Sequence, residues 1–148
     1  MRLLFVRIVI GLLFLVAGVS KVSDPAAFAE AIYNYHLVPA RLITLTAITL
    51  PWLEVLAGLC LLSGALTRSA ALITGVLSLA FAVGISSALA RGLNIECGCF
   101  SGGSPADALH VVLNLAVMVG SFWLCRRGGG DWSLDRYGSL EVECSTAE

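Results

Sequence analysis

Four stretches of almost unbroken apolar residues organise the chain: Leu3 to Val22, Arg41 to Leu62, Ser69 to Ala90 and Pro105 to Cys125. Each is close to the ~20 residues that a helix needs to cross a hydrocarbon core of about 30 Å. The alternating pattern of a membrane β-barrel is absent, so the spans are predicted to be helices. Gly64, Gly92 and Gly128 punctuate the exits of the last three. The segment "SDPAAFAEAIYNYHLVP" breaks the pattern between the first two spans. Ser23 or Asp24 before Pro25 is a helix-start signal and Pro39 a stop, which predicts a short amphipathic helix at the membrane interface with Phe28, Ile32 and Tyr35 inward. The expected fold is an all-α integral membrane protein, a four-transmembrane-helix bundle with that short interfacial helix between spans one and two. Residues 1–127 form the transmembrane domain; residues 128–148, polar and acidic, read as a flexible cytoplasmic tail.

Composition agrees with the pattern. Of 148 residues 58% are hydrophobic and 13% charged, and the mean hydropathy is +0.92, outside the range of soluble domains. Membrane lipid is therefore an expected partner. A net charge of −1 with scattered basic residues excludes nucleic acid. Arg2, Arg7, Arg68, Arg126, Arg127 and Arg136 fall at one side of the spans, and Lys21, Arg41 and Arg91 at the other. By the positive-inside rule this predicts a multi-pass protein of the bacterial inner membrane with both termini cytoplasmic and the third-to-fourth loop periplasmic. Arg7, close to the start of its span, is expected to snorkel to the interface. A cleaved signal peptide over residues 1–20 is the rival, but Ala17-Gly18-Val19-Ser20 is a poor cleavage site and its removal would leave an odd number of spans.

The third-to-fourth loop carries "NIECGCFSGG", with two of the five cysteines, Cys97 and Cys99, one glycine apart. A periplasmic site permits disulfides. A bridge between residues so close closes a tiny ring, which stabilises little but is strained and easily reduced, as exchange chemistry requires. Gly98 permits the backbone angles, and the helix start at Ser104-Pro105 would favour a thiolate, against Glu96. Two other readings stand beside this one: a metal site of Cys97, Cys99 and His110, and an inert pair. The metal reading has no evident fourth ligand and an unusual spacing for zinc. Cys60, Cys125 and Cys144 are placed on the cytoplasmic side, as packing or passive residues.

The stretches "GLLFLVAGVSKVSDPAAF" with Gly11, Gly18 and Lys21, "LPWLEVLAGLCLLSG" with Pro51, Trp52, Glu54 and Gly58, and "RGLNIECGCF" with Cys97, Cys99 and Phe100 resemble the MauE-type branch of the DoxX-like family of redox-associated membrane proteins. The resemblance covers roughly residues 8–125. It implies a four-helix membrane bundle concerned with forming or maintaining disulfides in periplasmic proteins, beside a thioredoxin-like partner. In many relatives a glycine follows the phenylalanine; here Ser101 does. In architecture alone, such a bundle is also similar to DsbB and the vitamin K epoxide reductases, which exchange electrons with quinone.

That analogy directs attention to polar residues inside the spans, where ionisable groups are costly. Glu54 lies about 20 Å by helical rise from Arg41, near mid-span. A lone carboxylate there is read either as a proton carrier or as helix glue near Pro51, which frees a carbonyl. Lys21 could stabilise a thiolate or a quinone oxygen, or snorkel to headgroups. His110, Asn114 and Ser121 share roughly one face of the fourth span, for quinone or thiol chemistry or for packing. Trp52, in the stretch that carries the resemblance, joins Lys21, His110 and Asn114 as a candidate cofactor-binding residue. Thr74, Gly75 and Ser78 read as a packing face. The functional expectation is a thiol–disulfide oxidoreductase with Cys97, Cys99, Glu54 and His110 catalytic, a periplasmic thioredoxin-like partner, and ubiquinone or menaquinone as acceptor. The alternatives are a metal-binding or metal-transporting membrane protein with Glu54 as pore ligand, and a non-catalytic membrane scaffold subunit.

Overall fold

In a computed structural model, which describes residues 1–92 and 108–128, the predicted spans become helices α1 (Arg2–Ser23), α3 (Ala40–Ser63), α4 (Thr67–Ala90) and α5 (Ala108–Arg127), with α2 (Pro25–Tyr35) between α1 and α3. All four long helices are apolar and long enough to cross a membrane. Among the described residues there is no strand. The loop with Cys97 and Cys99, the first residues expected in the fourth span, and the tail with Cys144 lie outside the described residues.

Local chemistry sets the boundaries. The Asp24 carboxylate accepts a hydrogen bond from the Ala27 amide at 3.0 Å, and Pro25 opens α2 where no amide is needed. His36 closes α2 in the left-handed conformation at φ 52°. Gly64, Gly92 and Gly128 do the same beyond α3, α4 and α5, at φ 75°, 67° and 76°. Phe28 and Ile32, one turn apart, bury against Ala47 of α3, as expected, and Tyr35 is half-buried.

The bundle consists of two closely packed pairs, α1 on α3 and α4 on α5, which meet less extensively. Glycine makes the first pair possible. A Cβ on Gly58 would stand 2.8 Å from the Gly11 carbonyl oxygen, and one on Gly18 2.9 Å from that of Pro51. In a bilayer, where apolar lipid offers no hydrophobic drive between helices, such close backbone approach supplies the packing. In the second pair Thr74 and Ser121 hydrogen-bond at 3.1 Å beside Gly75. Ile10, Phe14, Leu61, Ala71, Leu77 and Leu124 fill the centre. Leu12, Leu45, Leu56, Val83, Val112 and Val119 stay exposed on the outer faces, as lipid-facing residues do. Arg7 departs from expectation. It is buried at 3% exposure rather than snorkelling outward.

Candidate functional site

α1 ends, α3 begins, α4 ends and α5 begins at one end of the bundle, here the upper end. Lys21, in the last turn of α1, was expected either to stabilise a thiolate or a quinone oxygen or to reach for headgroups; it is buried and turns to a carboxylate instead. Its Nζ donates to Glu54 Oε1 at 2.9 Å and Oε2 at 2.8 Å. Only 5% of Lys21 and 1% of Glu54 is exposed. Two aromatic rings complete the surroundings, with Phe28 and Phe81 centroids 5.4 and 4.9 Å from the ammonium. One ammonium thus joins α1, α2, α3 and α4.

This corrects the reading of Glu54 as a lone carboxylate. A buried charge is tolerated where an opposite charge and short hydrogen bonds replace water, and ring faces add to the attraction. Both Glu54 oxygens bond to Lys21, whose positive charge beside them counts against a cation-ligand role in a pore. An ammonium has three donors. Two short contacts go to Glu54, leaving one uncommitted among the described residues.

Beside the pair is a cavity of about 150 Å³ between α1, α4 and α5. Its walls are Leu13, Phe14, Ala17 and Lys21 of α1, Glu54 of α3, Ser78 and Phe81 of α4, and His110, Leu113, Asn114 and Val117 of α5. Its origin is the way α5 packs. The buried residues of α5, Ser121 and Leu124, are in its lower half. No residue of its upper half is buried, and His110, Leu113, Asn114 and Val117 there line the space. Leu13 and Leu113 line the cavity yet are substantially exposed, so it opens sideways between α1 and α5, toward the apolar surroundings.

Of the predicted site residues, Lys21, Glu54, His110 and Asn114 converge on this cavity. Asn114 Nδ2 donates to the His110 carbonyl at 2.9 Å, so part of its amide is used within α5. Trp52 is elsewhere: it is 55% exposed and is not among the cavity walls. Cys60 and Cys125 are half-buried free thiols against the apolar centre. Among the described residues no three His, Cys, Asp or Glu side chains gather as a metal site would require.

Ser78 is the main residue that sequence reasoning assigned to packing alone. Its side chain is fully buried in the cavity wall, and its Oγ has no hydrogen-bond partner among the described residues. Thr74, one turn away, differs, being bonded to the Ala71 carbonyl and to Ser121. Phe14 and Phe81 were also missed. A signal existed in the spacing: Phe14, Ala17 and Lys21 are three and then four residues apart, and Ser78 and Phe81 three, so each set shares one helix face.

A helical membrane bundle with an ion pair buried between its first and second spans, and a cavity open to its flank, is the class these features define. The chain belongs to the MauE family: the family model described as "Methylamine utilisation protein MauE" matches residues 1–127. It is 32% identical over 114 residues to the methylamine utilization protein MauE of Paracoccus denitrificans, covering 75% of this chain and 61% of that protein. It is 31% identical over 118 residues to the protein of the same name from Methylophilus methylotrophus, covering 77% and 62%. The chain thus spans about three fifths of the length of these curated relatives. No solved structure matches it. The residues that carried the resemblance have a structural meaning, because Gly11, Gly18 and Gly58 form the α1–α3 contact and Lys21 and Glu54 form the ion pair within it.

Proposed function

We propose that this protein is a membrane thiol–disulfide oxidoreductase serving methylamine utilisation, within the wider DoxX-like grouping. A thiolate of Cys97 or Cys99 forms a mixed disulfide with a periplasmic thioredoxin-like partner, and the other cysteine resolves it. Each exchange conserves electrons: one disulfide is reduced as another forms. The observation that carries the reading is the Cys97-Gly98-Cys99 sequence in the segment leading into α5, two residues inside which His110 meets the cavity beside Lys21 and Glu54. A thiol pair that precedes, in the sequence, a helix lining a buried charged centre suits redox chemistry better than anchoring, since intramembrane ionisable groups are costly to keep without use. With the bundle in the bacterial inner membrane and both termini cytoplasmic, the pair faces the compartment where disulfides persist.

The test is alkylation and mass mapping of Cys97 and Cys99 in native membranes, with capture of partners by the single variants Cys97→Ser and Cys99→Ser. A mixed disulfide trapped by one single variant and absent from the double variant supports the proposal. Thiols that stay reduced in the wild type and trap nothing in either variant refute it.

A further inference from the structure

We propose that the cavity between α1, α4 and α5 is the headgroup site of a one-ring quinone that enters sideways from the bilayer. The redox role assigned to this quinone rests on the thiol–disulfide reading above; the binding site itself does not. Three observations carry it. The first is size, since a volume of about 150 Å³ is that of an apolar protein cavity known to take one six-membered aromatic ring. The second is access: with Leu13 and Leu113 exposed beside it, the cavity opens on the helix flank, so its ligand arrives dissolved in lipid.

The third observation is the hydrogen-bonding character of the wall. Glu54 holds Lys21 through both oxygens, and one N–H of the Asn114 amide donates within its own helix. Donors still uncommitted among the described residues are one N–H of Lys21, the second N–H of the Asn114 amide and the hydroxyl of Ser78, which is buried without a partner. Leaving a buried hydroxyl unmatched is unfavourable, so the site suits a ligand that accepts hydrogen bonds from these donors. A quinone carbonyl is such a group. Phe14 and Phe81 present ring surface for the quinone ring, in offset or edge-on contact.

The proposed chemistry balances with this acceptor. The Cys97 and Cys99 thiols lose two protons and two electrons as their sulfur–sulfur bond forms. The quinone takes both electrons, and each of its carbonyl oxygens takes a proton, giving the quinol.

The experiment uses the full chain in lipid nanodiscs and a photoreactive azido-benzoquinone with a ten-carbon tail as probe, the labelled residues being mapped by mass spectrometry. Expected is labelling of the α1 and α5 walls, competed by decyl-benzoquinone and unchanged in the Cys97→Ser/Cys99→Ser double variant. Ser78→Ala weakens the competitor about fivefold, the worth of one neutral hydrogen bond. Ala17→Phe, which fills the cavity, abolishes the labelling; should that variant fail to fold, Ser78→Ala remains decisive. Labelling spread over the outer faces overturns the proposal. So does equal competition by decanol, which would make the cavity an acyl-chain site, and so does an affinity unchanged by Ser78→Ala. If quinone binds as described but never reoxidises the thiols, the site stands and the redox role given to the quinone falls, while the thiol–disulfide reading is decided by the trapping experiment above; reoxidation by quinone without labelling of the cavity overturns the site and leaves that reading standing.

Discussion

Glu54→Gln removes one charge from the ion pair while keeping the shape of the side chain. It leaves the Lys21 ammonium, 5% exposed, without a counter-charge, and its contacts with Phe28 and Phe81 do not offset that loss because they are already present in the wild type. Removing one partner of a buried pair costs about 3–5 kcal/mol. We expect a loss in this range for Glu54→Gln, and a similar loss for Lys21→Met, which strands the carboxylate. The double variant Lys21→Met/Glu54→Gln leaves neither charge exposed to an apolar interior, and its loss should fall to about half the sum of the two single losses or less. The assay is reversible unfolding of the purified chain in mixed micelles by added sodium dodecyl sulfate, followed by tryptophan fluorescence and circular dichroism. Additivity of the two single losses within about 0.5 kcal/mol would show that the charges are not coupled and would refute the reasoning.

Gly58→Ala places a Cβ 2.8 Å from the Gly11 oxygen and 2.9 Å from the Leu15 amide nitrogen, both backbone atoms. α1 must then shift, and the same unfolding assay should record a loss of about 1–3 kcal/mol. Thr74→Val keeps the volume but removes the 3.1 Å hydrogen bond to Ser121. The loss should be smaller, about 0.6 kcal/mol and at most about 1.7, the range measured for interhelical hydrogen bonds in membranes. Trp52→Ala, at a side chain 55% exposed, should leave quinone photolabelling unchanged; a clear reduction would bring the outer face of α3 into the binding site.

The helices were legible in the sequence because a membrane span is announced by length and apolarity, two properties that need no partner. Asp24-Pro25 and Gly64 marked their own ends, since a helix-start carboxylate and a left-handed glycine act within a few residues. The direction of the Lys21 side chain was not legible. Snorkelling and ion pairing are equally compatible with a lysine near the end of a span, and the choice depends on Glu54, 33 residues away. Arg7 is hidden by the same ambiguity. His110 and Asn114, which line the cavity, could be singled out because intramembrane polar groups stand out against their neighbours, whereas Ser78, a small hydroxyl in a helix rich in small residues, does not. Its importance comes from the cavity that several helices enclose together, which no single helix encodes. Trp52, singled out from the stretch that carries the resemblance, is two residues from Glu54 and so falls on a different face of α3, away from the cavity walls.

The Lys21–Glu54 pair also bears on how the chain enters the bilayer during synthesis. A glutamate near the centre of a span is an obstacle to insertion, since acidic residues there cost about 2.5–3.5 kcal/mol on insertion scales. Lys21 belongs to a helix made before α3 and sits near its end, where insertion is less demanding. When Glu54 emerges 33 residues later, the counter-charge is already beside the route it must take. The close α1–α3 contact through Gly11, Gly18 and Gly58 would then form as the two helices enter, and α4 and α5 would be added to a hairpin whose charge is already neutralised.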